Sequence, residues 1–203
     1  MTGTHGLDII PEEKGEVGMK SGIEIQGGEK RGFKLKAPRG IRPTQSLVKR
    51  SLFDRLGPWI VNRRMLELFA GSGAVGFEAL SRGASEVVFV DRSRNAVLSI
   101  MENARKLGYG DRAKAVRREA LKFLRELRER GDKFDFVFAD PPYDLQLSPE
   151  FFDLVGEVLE KEGLFVLELR WKDREIKGIS SLELEKEVKL GDTALLFFGR
   201  LSR

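Results

Sequence analysis

From residue 64 onward the chain alternates two hydrophobic rhythms. Short apolar and β-branched runs, MLELF (65–69), EVVFV (86–90), KAV (114–116), FDFVFA (134–139) and LFVLEL (164–169), predict strands. Between them lie stretches with apolar residues three and four apart, which predict helices over 74–82, 94–107, 119–130 and 149–160. LELEKEVKL (182–190) and TALLFFGRL (193–201) flank Gly191-Asp192 and predict a closing hairpin. Such alternation predicts an α/β domain: a mostly parallel, seven-stranded sheet with helices on both faces and an antiparallel strand contributed by the hairpin.

Upstream the rhythm is weaker. GIEIQ (22–26) and GFKLK (32–36) alternate apolar and polar residues around Gly27-Gly28, predicting a small β-hairpin. Thr44 is placed to cap a helix running to about Leu56, with Val48, Leu52 and Leu56 as its buried stripe, and Gly57-Pro58 stops it. Residues 1–20 carry few large apolar groups and are expected to be disordered. The chain thus divides into that segment, a hairpin-and-helix extension over 21–60, and the α/β domain over 61–203.

Composition narrows the chemistry. The chain has no cysteine and a single histidine, His5, which removes disulfides, thiolate catalysis and His-based triads, and no metal is expected. No apolar run approaches the roughly 20 residues of a membrane span, and the first residues lack the apolar core of a signal peptide. A cytoplasmic protein is the expectation. The net charge of +4 is lopsided. Residues 20–64 hold 12 Lys/Arg against 3 Asp/Glu, a net of +9, whereas 1–19 and 65–203 are each slightly acidic. Basic residues interleaved with Gly and Pro beside a near-neutral domain point to a nucleic acid as partner.

The turn ELFAGSGAVG leads from the first strand of the domain into a helix. Gly71, Gly73 and Gly76 match G-x-G-x-x-G, and Asp91 ends the next strand 20 residues after Gly71. That pattern admits a dinucleotide. Glu67 argues against one, since it would repel a pyrophosphate yet pair with the cationic amino-acid end of S-adenosylmethionine (AdoMet). Ala70, Gly71, Ser72 and Gly73 would let the backbone approach that ligand closely, with Phe69 and Arg92 beside them, and Asp91 would accept from the ribose hydroxyls. Glu119 and Ala120 follow the third strand, where an adenine would lie. Glu119 either accepts from the adenine amine or simply opens its helix.

The fourth strand ends in Asp140-Pro141-Pro142-Tyr143. Ligands of open α/β sheets lie at the carboxyl ends of the strands, so this turn is expected to face the methyl donor. The Asp140 carboxylate and the Pro141 carbonyl are two acceptors able to grip both N–H bonds of a base's exocyclic amine, aiming its lone pair at the methyl group. Pro141 and Pro142 add no competing donor and fix φ, and Tyr143 offers a face for an extruded base.

With these residues in view, DPPY resembles the motif of amino-methyltransferases of nucleic-acid bases. Together, RGFKLKAPRGIRPT (31–44), SLFDRL (51–56), ELFAGSGAVGFEALSRGA (67–84) and FADPPY (138–143) resemble the RsmD family of 16S rRNA guanine-N2 methyltransferases. The resemblance runs from about residue 21 to 200. It implies a Rossmann-like class I methyltransferase fold, AdoMet as cofactor, and a small-subunit rRNA guanine as substrate, in a partly assembled particle and with the enzyme a monomer. It places Arg31, Lys34, Lys36, Arg39 and Arg42 on phosphates, and Thr44 near the active-site mouth besides its capping role. Family members often carry Glu where this chain has Asp91; both can bind a ribose diol. DPPY also occurs in adenine-N6 methyltransferases, because the gripped amine is planar in both. That alternative therefore stays open, as does a non-catalytic assembly factor that retains AdoMet.

Overall fold

A computed structural model of the chain describes residues 19–38, 46–176 and 179–201. A two-stranded hairpin, β1 (Met19–Glu24) and β2 (Lys34–Pro38), precedes helix α1 (Ser46–Leu56). The domain follows as β3 (Arg64–Leu68), α2 (Ala74–Ser81), β4 (Glu86–Asp91), α3 (Arg94–Leu107), β5 (Ala113–Arg117), α4 (Ala120–Arg130), β6 (Phe134–Ala139), α5 (Pro149–Val158), β7 (Leu159–Arg170), β8 (Leu182–Leu190) and β9 (Thr193–Arg200). The sheet has seven strands in the order β5-β4-β3-β6-β7-β9-β8, parallel from β5 to β7, with β9 antiparallel to both neighbours.

The central strands are buried at almost every position because helices cover both faces. Met65, Phe89, Phe136, Phe138 and Val166 pack on the side of the hairpin, α1, α2 and α3, whereas Leu66, Leu68, Val137, Phe165 and Leu167 pack on the side of α4 and α5. This parity fixes where the strand carboxylates go. Glu67, flanked by Leu66 and Leu68, shares the first face with Phe138 of β6, its register partner.

The extension is fastened through buried charge. Lys49 of α1 is 2 % exposed, donates to the Glu24 carbonyl at 2.6 Å, and lies 3.1 Å from the Glu78 carboxylate. Glu78 also accepts from the Gln26 amide at 2.7 Å and from Arg82 at 2.8 Å. Burial lowers the Lys49 pKa, and the facing Glu78 opposes that. Gly28, at φ 77°, rests against α2 so closely that a Cβ would stand 1.8 Å from the Ser81 carbonyl oxygen.

Several boundaries differ from the expectation. The helix expected to reach residue 160 ends at Val158, because Leu159 turns extended and pairs with Phe134 of β6. The hairpin strands lie at 19–24 and 34–38, and β1 carries a register shift between Ser21 and Ile23. Thr44 lies outside the described residues, as does most of the segment from 1 to 20.

Candidate active site

Winding reverses between β3 and β6, which are neighbours although the chain visits β4 and β5 between them. At their carboxyl ends lies a cleft of about 590 Å³, at the switch point where open α/β sheets bind ligands. Thirteen of the fourteen residues expected at the cofactor and the amine line it; Gly73 does not.

The glycine turn is built from left-handed backbone. Phe69, Gly71 and Gly73 have φ of 57°, 55° and 73°. For Phe69 that conformation costs about 1–2 kcal/mol, and its ring packs against Phe151 at 6.2 Å. Gly73 serves the interior: it caps α2, and a Cβ there would stand 2.9 Å from Phe77 and 3.0 Å from Phe89. Gly76 allows α2 onto the sheet, for its Cβ would stand 2.3 Å from Phe89 and 2.5 Å from Glu67.

Glu67 is 3 % exposed, and its Oε2 accepts from the Gly76 amide at 2.9 Å. Burial pushes its pKa up to about 8, and Asp140 and Asp91 push the same way. The Gly76 and Val75 N–H groups oppose the shift. Its carboxyl therefore fills the N-terminus of α2, the position where dinucleotide folds hold a pyrophosphate. Asp91 is fastened at both oxygens, accepting from the Gly71 and Ser93 amides, each at 2.8 Å. Each carboxylate oxygen retains acceptor capacity for a further donor. Glu119 does what a helix-opening acid does: its two oxygens accept from the Leu121 and Lys122 amides, each at 3.0 Å. It still borders the cleft with Ala120.

These residues fit AdoMet: a ribose-diol acceptor at Asp91, close backbone at Gly71, and a carboxyl at Glu67 that a cation would ionise. They do not fit a pyrophosphate, whose place at the helix terminus is taken.

Asp140, Pro141, Pro142 and Tyr143 line the same cleft. The Tyr143 side chain is 41 % exposed, and the Arg170 guanidinium sits 4.7 Å from its ring centroid while donating to the Tyr143 carbonyl at 3.1 Å. A stacked base would use the ring face away from Arg170. Sequence reasoning missed Glu168 of β7, which lines the cleft at 5 % exposure, along with Phe138, Arg118, Asp144 and Leu145. A sequence signal existed for Glu168: a lone carboxylate within a run that a parallel sheet buries.

The described members of the basic set, Arg31, Lys34 and Lys36, do not line the cleft. Arg31 and Lys34 are exposed on the hairpin. The hairpin turn packs at the Ser81 end of α2, an eight-residue helix that rises about 12 Å from its start beside the glycine turn. Lys36 is half-buried with its ammonium 2.5 Å from Glu102, and its backbone is bonded to Asn103 and Ser99 of α3. Arg39, Arg42 and Thr44 lie outside the described residues. Among the described residues there is no group of three or more His, Cys, Asp or Glu placed to hold a metal ion, and no helix is long and apolar enough to cross a membrane.

The family described as "Conserved hypothetical protein 95" matches residues 23–199. The chain is 38 % identical over 159 residues to a putative rRNA methyltransferase, YlbH, of Bacillus subtilis, covering 76 % of this chain and 85 % of that one. It is 34 % identical over 182 residues to ribosomal RNA small subunit methyltransferase D of Escherichia coli, covering 88 % and 90 %. The solved structure of the putative methyltransferase yhhF from Escherichia coli superposes with a TM-score of 0.79 at 33 % identity, covering 89 % of this chain and 99 % of that one. The chain therefore belongs to the RsmD family and has the Rossmann-like class I methyltransferase fold.

Proposed function

We propose that the protein is an AdoMet-dependent rRNA methyltransferase that modifies the exocyclic N2 amine of a guanine in small-subunit rRNA, the guanine-966 activity of the family. The observation that carries this reading is one cleft with two halves. Glu67, Gly71 and Asp91, read as the AdoMet side, line the same cleft as Asp140 and Pro141, read as the acceptors for the amine. The names of the Bacillus and Escherichia relatives support the rRNA substrate.

When bound, the cofactor supplies an electrophilic methyl group on a sulfonium. Asp91 holds the ribose end and Glu67 the cationic amino-acid end. Asp140 and the Pro141 carbonyl accept the two N–H bonds of the amine, whose lone pair is otherwise delocalised into the ring, and direct it along the line of transfer. Asp140 would take up the proton that leaves the amine as it gains the methyl group, or pass it to water. Tyr143 supports the extruded base. Residues 21–60 form an RNA-binding extension on the catalytic domain 61–203, with Arg31, Lys34, Arg39 and Arg42 on phosphates and Lys36 held by Glu102. The substrate is a partly assembled particle, and the enzyme acts as a monomer.

Incubation of the protein and labelled AdoMet with small-subunit particles lacking the modification tests the reading. N2-methylguanosine is the expected product. Methylated adenine would replace guanine by adenine in the reading, and normal AdoMet binding without transfer would leave an assembly factor.

A further inference from the structure

DPPY grips an amine without naming the base that bears it. Guanine presents an N1–H donor beside its N2 amine, whereas adenine presents an N1 acceptor beside its N6 amine. A site that selects guanine therefore needs an acceptor next to the amine grip, aimed at the ring nitrogen.

Glu168 is placed for this. Ala139 of β6 is the register partner of Leu167 of β7, so Asp140 and Glu168 follow side by side at the carboxyl edge of the sheet. In sequence Glu168 stands between Leu167 and Leu169, which pack toward α4 and α5, so Glu168 takes the opposite face, the one that also holds Glu67. It is 5 % exposed and borders the same cleft as Asp140, Pro141 and Tyr143. It also lies on the far side of β6 from β4, whose Asp91 serves the cofactor half. A carboxylate held at that depth is a strong acceptor for an N–H, and it repels an acceptor nitrogen.

We propose that Glu168 is the base-specificity residue of this enzyme, accepting the N1–H of the target guanine while Asp140 and Pro141 hold its N2 amine. The inference rests on the guanine-N2 reading above. It adds what that reading lacks, a group that tells guanine from adenine.

The test uses the full chain, AdoMet, and small-subunit particles carrying either the natural target guanine or adenine at that position. For Glu168→Ala, the kcat/KM on guanine particles is expected to fall about tenfold to hundredfold, the size of a lost charge-assisted hydrogen bond. Its AdoMet affinity should stay within about threefold of the parent. Glu168→Gln is nearly isosteric and offers either an amide donor or a carbonyl acceptor. It should retain more guanine activity than the alanine variant and shift the guanine-to-adenine ratio of kcat/KM by about tenfold or more toward adenine. A merely structural role would lower both substrates together and leave that ratio unmoved. An unchanged ratio in Glu168→Gln with normal AdoMet binding overturns the proposal, as does a tenfold loss of AdoMet affinity, which would place Glu168 at the cofactor. If the parent protein methylates no guanine at all, the guanine-N2 reading falls first and this one with it.

Discussion

Glu67 makes the cofactor half of the site sensitive to pH in a way that can be worked out. In the ligand-free protein its pKa is raised from 4.5 to about 8, chiefly by burial. With the cationic end of AdoMet against it, as proposed, the ionised form is favoured and binding would expel the proton. Below about pH 8 the free protein holds a proton that binding would release, so cofactor affinity should rise with pH up to about 8. Between about pH 5.5 and pH 7, linkage to a group titrating near 8 gives about a thirtyfold gain, equivalent to roughly 2 kcal/mol. That range stays below the titration of the cofactor's own amino group, near 7.7–8.0. Calorimetric titration of AdoMet into the protein at several pH values, in buffers of different ionisation enthalpy, measures both the affinity and the proton released. Glu67→Gln should bind more weakly at pH 7 with a flat profile. In the free protein the same shift has the opposite sign for stability: the contribution is fully present below 4.5 and is lost as pH rises to about 8, a slope the glutamine variant should lack. A flat affinity profile in the parent, or the same slope in Glu67→Gln, would refute the placement of the cationic end at this carboxyl.

Asp140→Ala is expected to lower kcat by about a hundredfold or more, with AdoMet affinity within about threefold of the parent, because in the proposed mechanism its carboxylate grips the amine and not the cofactor. Single-turnover transfer together with equilibrium binding separates the two. Gly76→Ala forces a Cβ to 2.3 Å from Phe89 and 2.5 Å from Glu67. Such overpacking costs about 1–3 kcal/mol, seen as a lower Tm, and it weakens AdoMet by displacing the Glu67 carboxyl. Lys36 is paired with Glu102, so Lys36→Ala should leave the salt dependence of RNA binding unchanged. Removing Arg31 and Lys34 together should flatten the log–log slope by about 0.7–0.9 for each phosphate they neutralise.

Strands β3, β4, β6 and β9 were legible because burial on both faces writes near-continuous apolar runs, and the glycine turn and Asp91 because their spacing is set by a single strand–helix–strand unit. Roles that depend on packing were not. Spacing could not say that Gly73 turns toward Phe77 and Phe89 and not toward the ligand, nor that Glu67 would reach across to the first turn of α2. MLELF and VLEL carry the same pattern, a carboxylate between leucines. Glu67 drew notice because a glycine turn follows it, whereas Glu168 precedes no motif and gains its meaning only when β7 is seen beside β6. The hairpin's charge was read as a surface for nucleic acid, but one of its lysines belongs to α3, through an ion pair to a residue 66 positions away in sequence.

In the proposed function one cleft brings a methyl donor to the N2 amine of an rRNA guanine. Its most direct measurement is nucleoside analysis of small-subunit particles, lacking the modification, after incubation with the protein and AdoMet. One N2-methylguanosine per particle is expected, formed by the parent protein and not by Asp140→Ala. Methyl transfer undiminished in Asp140→Ala, or a methylated base other than guanine, would contradict it.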